Sequence, residues 1–325
     1  MNAEPDRKLA WIDAYLAHLR GARQLSPNTT DAYARDLREL ATLTAGHEWA
    51  QVDAFLVRRL AARLHAKDLD PRSIARKLSS WRGFFEWLAE PLKLAANPVQ
   101  GVRAPKRAKT LPRALSVDDA VRLVAPSRPG QRAQDAAPTP VAVSGHGGVE
   151  PAELCNRAMF ELLYSSGLRV SELAGLDLTA GKEALGWVAF DNREVIVTGK
   201  GGKRRVVPVG AAALAALAAW VAVRPAPADG SGALFLSARG TRVSPRVIQQ
   251  RLQAHGVASG APVHVHPHML RHSIASHLRQ SSGDLRAVQE MLGHSSISST
   301  QVYTALDFQH LAEVYDKAHP RAKLK

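Results

Sequence analysis

Residues 97–116, NPVQGVRAPKRAKTLPRALS, carry no hydrophobic period. Dense in proline and basic residues, the stretch has the chemistry of a linker, and it divides the chain into two blocks that must each find a core of their own. A length of 325 residues also points to two domains, and a hydrophobic content of 46% is enough to fill both. The expected division is a helical N-terminal domain over 1–104, a basic linker over 105–115 and a larger domain over 116–325.

The first block reads as four helices. In KLAWIDAYLAHLRGA, Leu9, Ile12, Leu16 and Leu19 fall at helical spacing, and Gly21 is a stop. In SPNTTDAYARDLRELATL, Ser26 is placed to cap and Pro27 to take the first helical position, with Tyr33, Leu37 and Leu40 along one face. A third helix is expected over 52–67. A fourth starts near Asp70 and Pro71 and runs through Ile74, Leu78, Trp81, Phe85 and Leu88.

Beyond the linker, Ser116 caps SVDDAVRLV, whose acids come early. Residues 126–151, PSRPGQRAQDAAPTPVAVSGHGGVEP, are poor in large apolar side chains and are expected to form a mobile insertion. NRAMFELLYSSGLRVSELAGL then reads as helix, break, helix. Gly167 ends the first helix, and Ser171 and Glu172 lie in the opening turn of the second. Two β-rich runs around a glycine-rich turn make 194–209 a hairpin. Helices are expected near 211–223, 244–255, 267–278 and 284–292, and from about 298. The fold class is mainly α with a small antiparallel β-sheet: a helical N-terminal domain and an α+β second domain.

The net charge of +14, with a pI of about 10.3, implies a polyanionic partner. Nucleic acid stands ahead of an acidic membrane surface, and the bland alternative is a well-solvated basic surface. No apolar run reaches membrane-spanning length, and the N-terminus lacks the order of a signal peptide. Cys155 is the single cysteine, so no internal disulfide can form; a cytoplasmic location is expected.

Chemistry concentrates in the second block. His264, His266 and His268 alternate ahead of Arg271 and His272. Pro267 suits the first turn of a helix, which leaves His264 and His266 in an extended approach and sets His268 and Arg271 on one helical face. A metal site would want converging ligands or a spacing such as HExxH, and neither appears. His272 and His277 read as packing or capping residues. An arginine and a histidine on one face suit a phosphate better: the guanidinium fork donates two parallel hydrogen bonds, and imidazole moves protons near neutral pH.

Other segments supply partners for that pair. Arg169, in SGLRVSEL, stands at a helix entry where unpaired N–H groups favour an anion, though a salt bridge to Glu172 would also explain it. Lys200 lies at the hairpin tip between Gly199 and Gly201, where Lys203 competes with it and a solvated turn lysine is the plain alternative. His294 directly follows Gly293, and Tyr303 comes nine residues later on the next helix; taken alone it would be an ordinary core or surface aromatic.

Together GLRVSEL, TGKGGKRRVVPV, HPHMLRHSIASHL and LGHSSISSTQVYT, in this order and spacing, resemble the tyrosine site-specific recombinases, the phage integrase family. The resemblance takes in nearly the whole chain, including LSPNTTDAYARDL in the first block; the insertion at 126–151 departs from it. Within the family the tail YTALDFQHLAEVYDKAHPRAK is most similar to the bacterial chromosome-dimer resolvases. The resemblance implies a helical core-binding domain and a catalytic domain that cleaves and rejoins DNA through a 3′-phosphotyrosyl bond, with no metal, ATP or other cofactor. It implies that Arg169 and Arg271 clamp the scissile phosphate, Lys200 is the general acid and His268 assists proton transfer. His294 would bond the phosphate, Tyr303 would be the nucleophile and Glu172 would support Arg169.

The implied partners are double-stranded DNA at dif-like sites, a XerD-like recombinase in a heterotetramer and the DNA translocase FtsK. The two domains would close on a duplex, with candidate recognition helices over 73–87 and 244–255. The segment after Tyr303, with a stripe of Leu311, Val314 and Tyr315, would dock on a neighbouring protomer. Other readings remain open at this point: a type IB topoisomerase, another integrase or transposon recombinase, a non-catalytic DNA-binding protein and a metal-dependent phosphoesterase.

Overall fold

A computed structural model describes residues 3–21, 25, 27–106, 114–125, 150–199, 202–293 and 305–322. The chain separates into two compact units, Met1–Leu111 and Pro112–Lys325. Ser26, the tip of the hairpin and most of the 126–151 insertion lie outside the described residues.

In the first unit, α1 (Ala3–Gly21), α2 (Pro27–Leu43), α3 (Ala54–Ala66) and α4 (Pro71–Leu88) form a helical bundle. Its core is the apolar stripe of each helix: Ile12, Leu16 and Leu19 meet Leu37, Leu40, Ile74, Leu78, Trp81, Phe85 and Leu88. Leu9, expected on the same face, is instead 38% exposed, and Tyr15 takes a core position. A helical period names a face, but does not say how far along that face a neighbour will cover it. The start read at Asp70 holds, its carboxylate accepting from Arg72 N–H at 2.7 Å, and α3, for which no cap was read, opens in the same way, the Asp53 carboxylate accepting from Leu56 N–H at 2.7 Å. The first part of the aperiodic stretch is held to this unit. Val99 and Val102 are buried, the Asn97 side chain donates to the Arg82 carbonyl at 2.9 Å, and Arg82 donates to the Val102 carbonyl at 3.1 Å.

The second unit is built around α6 (Pro151–Ser166), whose final nine residues are all buried. Around it stand α5 (Val117–Val124), α7 (Val170–Ala174), α8 (Ala211–Val223), α9 (Pro245–Ala258), α10 (Pro267–Ser282), α11 (Leu285–Leu292) and α12 (Ala305–Ala318). Four strands form one sheet in sequence order: β1 (Leu176–Asp177), β2 (Gly186–Ala189), β3 (Glu194–Thr198) and β4 (Arg204–Pro208). The expected β3–β4 hairpin is antiparallel, as is β2–β3, while the two-residue β1 runs parallel to β2. The hairpin register sets Val195 opposite Val207 and Val197 opposite Arg205, so these four side chains share the sheet's inner face.

The end of the chain corrects an expectation. Leu311 and Tyr315 do not wait for a neighbour; both are buried in this chain's own core, with Val314 packed beside them. The Tyr315 hydroxyl meets Ser165 Oγ at 2.6 Å, Arg321 forks the buried Glu161 carboxylate, and Ala211 N–H donates to the Ala322 carbonyl at 2.9 Å. The stripe is apolar because it fills a groove lined by Leu278, Val288 and Met291. Among the described residues, no helix is long and apolar enough to cross a membrane.

Candidate active site

Two glycines set the geometry. Gly167 ends α6 with φ +55°, and Gly293 ends α11 with φ +61°, both left-handed turns that favour glycine. A Cβ at Gly167 would come within 3.0 Å of Leu292 and 3.2 Å of Ile274, so the α6–α7 turn lies directly against the end of α11 and the side of α10. Arg169 follows as the residue that opens α7. The Glu172 carboxylate reaches back to it twice, accepting from the Arg169 backbone N–H and from its guanidinium, each at 2.8 Å.

Arg271 comes from α10. His266 caps that helix, its ring Nδ1 accepting from Met269 N–H at 3.2 Å, and Pro267 opens the first turn. One turn later Arg271 points into the protein, 8% exposed, and donates to the carbonyls of Gly167 and Leu292. Arg169 donates to the next carbonyl, that of Gly293, at 3.1 Å. The two arginines expected to work together are therefore brought to one place, on consecutive carbonyls at the C-terminal end of α11. Those carbonyls lack intrahelical partners and carry the negative end of the helix dipole, which favours cations.

A third guanidinium, missed in the sequence, completes the cluster. Arg205 donates through Nε to the Met291 carbonyl at 3.3 Å and grips Glu172 with both Nη atoms, at 2.7 and 2.8 Å. Its signal was available: strand alternation turns Arg204 outward and Arg205 inward, and an arginine on a valine face must have a buried anion. Burial by itself would raise the Glu172 carboxyl, but Arg205 and then Arg169 hold it down to about 2. Arg271 is lowered to about 10, first by burial and then by the positive charge of Arg169, with Glu172 opposing.

His268 is exposed on α10, three residues before Arg271, and the hydrogen bonds and ion pairs that join the arginine cluster among the described residues do not include it. His264 and His266 are exposed as well. His277 is a packing residue as read, bonded to the Tyr164 hydroxyl and the Leu115 carbonyl, each at 2.9 Å. His272 is exposed instead of packed. Lys200, His294 and Tyr303 lie outside the described residues. In the chain, Lys200 follows the end of β3 after Gly199, and His294 follows Gly293 at the arginine cluster.

The cluster can bind an oxyanion. Three guanidiniums against one carboxylate leave two positive charges, and Arg169, with a 38% exposed side chain, is open to solvent.

Residues 141–310 match the phage integrase family, and residues 12–90 match the phage integrase N-terminal SAM-like domain. Tyrosine recombinase XerC 1 of Ralstonia nicotianae is 51% identical over 97% of this chain and 94% of its own length. Tyrosine recombinase XerC of Pseudomonas aeruginosa is 46% identical over 97% and 96%. Among solved structures, a lambda integrase dimer bound to a COC′ core site shares the fold, with a TM-score of 0.65 at 16% identity over 91% of this chain and 98% of that one. Relatives this similar over nearly the full length, and a family match spanning more than half the residues, agree with the motifs: the chain belongs to the phage integrase family, the tyrosine recombinases.

Proposed function

We propose that this recombinase acts on duplex DNA, attacking one backbone phosphate with Tyr303 and holding that phosphate between Arg169 and Arg271. The observation that carries the reading is the seating of Arg169 and Arg271 on consecutive carbonyls of α11, immediately before His294 in the chain.

A tyrosine hydroxyl, with an ordinary pKa near 10, is a weak nucleophile and needs an electrophile whose charge is already met. The phosphodiester has one negative charge, and more gathers on its oxygens as the phenol oxygen attacks. Arg169, Arg271 and a His294 N–H aimed there stabilise that charge. His268 assists removal of the phenol proton, and Lys200 protonates the departing 5′ oxygen. Glu172 holds Arg169 in place. One phosphodiester has then replaced another, so the 3′-phosphotyrosyl bond keeps the energy of the bond broken. A 5′ hydroxyl from a second strand reverses the step and exchanges the strands without ATP, metal or other cofactor.

The identities to XerC relatives support a narrower reading: cytoplasmic resolution of chromosome dimers at dif-type sites, in a heterotetramer with a XerD-like recombinase and with FtsK as a further partner. Recognition falls to α4 and α9. The exposed side of α9 carries Arg246, Gln249, Gln250 and Gln253, the side-chain types that pair with guanine and adenine edges in a major groove.

A dif-type duplex nicked near the scissile phosphate traps the covalent intermediate. Wild-type chain should form a protein–DNA adduct in EDTA, and Tyr303→Phe should form none. Adduct from Tyr303→Phe would remove Tyr303 as nucleophile, and an adduct lost in EDTA would favour metal-dependent chemistry. Relaxation of supercoiled DNA without paired sites would favour a type IB topoisomerase.

A further inference from the structure

Arg205 is the one guanidinium of the cluster with no part in the reaction proposed above. We infer that Arg205 is a positioning residue: it takes up the charge of Glu172, so that Arg169 keeps its own positive charge for the phosphate. The inference rests on the recombinase reading.

Its position leaves Arg205 little else to do. The side chain is 8% exposed on the inner face of the sheet. Nε is committed to the Met291 carbonyl, and both Nη atoms are committed to Glu172. Arg205 therefore turns its fork toward the protein, whereas Arg169 leaves one edge to solvent. It also packs under the α11 terminus: a Cβ at Gly293 would meet its Cδ at 3.1 Å and Nε at 3.2 Å. One side chain thus joins three pieces of the site, namely the strand that follows Lys200, the α7 carboxylate and the helix end that leads to His294.

The charge balance makes the role specific. With Arg205 present, Arg169, Arg205 and Arg271 face the single carboxylate of Glu172 and two positive charges remain. A phosphodiester carries one negative charge and approaches two as the nucleophile adds. Without Arg205, Glu172 would pair with Arg169 alone and one positive charge would remain. The transition state would lose more than the bound substrate does, so cleavage should suffer while DNA affinity stays.

The test measures adduct formation on the nicked duplex, together with gel-shift affinity and thermal melting, in the full chain. Arg205→Met should lower the cleavage rate about a hundredfold at unchanged affinity. Arg205→Lys, which keeps the charge but not the fork, should fall between Arg205→Met and wild type. The double variant Arg205→Met with Glu172→Gln removes the stranded carboxylate along with its partner and should cleave about tenfold faster than Arg205→Met alone, because losing both members of a buried pair costs less than losing one. With no unpaired charge left at positions 172 and 205, the double variant also keeps the test open if Arg205→Met melts at the assay temperature. Added guanidinium ion should rescue Arg205→Ala, where the space is empty, and not Arg205→Met, where it is filled. Wild-type adduct combined with a double variant no faster than Arg205→Met, and no rescue of Arg205→Ala, overturns the inference alone. If the wild-type chain itself gives no adduct, the proposed reaction falls and takes the inference with it.

Discussion

Glu172 keeps its charge in a place where an isolated carboxyl would lose it. Burial pushes it toward the neutral form, and the hydrogen bonds and charges of Arg205 and Arg169 reverse that, to about 2 against an ordinary 4.5. Because the folded-state value lies below the unfolded one, the stabilisation is fully present above about pH 4.5 and is lost as pH falls toward 2. By linkage it is worth about 3 kcal/mol. Glu172→Gln should therefore flatten the loss of stability between pH 4.5 and 2 in denaturant melts, and an acid limb as steep as that of wild type would contradict the assignment. Arg271 makes a second residue-level case. A lysine there cannot reach the carbonyls of Gly167 and Leu292 together, so Arg271→Lys should cost about a hundredfold in adduct formation and, by leaving one buried carbonyl unpaired, about 1–3 kcal/mol in denaturant melts.

At the scale of elements, α12 and the turn after it are held by polar contacts that the apolar stripe did not announce. His319 is buried, stacks on Tyr315 with ring centroids 4.5 Å apart, and accepts from Arg321 N–H at 2.9 Å. Burial above all, and then the charges of His277 and Arg321, lower its pKa to about 3 against a bond to the Tyr164 carbonyl that raises it. The unfolded histidine takes up a proton near pH 6.5 and the folded one does not, so α12 is held fully above pH 6.5 and loses about 1.4 kcal/mol for each pH unit below it. Hydrogen exchange of α12 amides, corrected for intrinsic rates, should accelerate as pH falls from 6.5 to 4.5, and His319→Phe should remove much of that dependence. Equal acceleration in His319→Phe would rule the histidine out as its source. Helix ends matter as much as helix faces. Gly167→Ala would place a methyl 3.0 Å from Leu292 at a φ that alanine rarely adopts, and should destabilise the second unit by about 1–3 kcal/mol.

For the molecule as a whole, the excess of positive charge acts on binding and not on the choice of fold. With 43 Lys and Arg against 29 Asp and Glu, affinity for a duplex should fall steeply with salt, about 10³-fold or more between 50 and 200 mM if six or more phosphates are contacted. A salt-independent affinity would mean that the basic surface is merely solvated. Replacing Gln250 on α9 by Ala should reduce discrimination between duplexes and leave the salt slope unchanged, since a base contact specifies and a phosphate contact positions.

Helices α1 to α7 and α9 to α11 were legible in the chain from a period, a cap or a terminal glycine at each, and α8 from its run of alanines. The pairing of Arg169 with Arg271 was legible only through the family resemblance, since 102 residues separate them. Strands β1 and β2 were not legible; β1 has two residues and β2 four, too few to show an alternation. Nor could periodicity show that Leu311 and Tyr315 pack against their own chain, because an apolar stripe states that it will be buried and not by what. Local sequence determined which segments coil, where they stop and which faces are apolar, as these depend on neighbours within a few positions. Tertiary structure alone decided that Met291, Leu292 and Gly293 each offer a carbonyl to a different arginine, and that Arg205 shares Glu172 with Arg169, because those bonds join residues the chain keeps far apart.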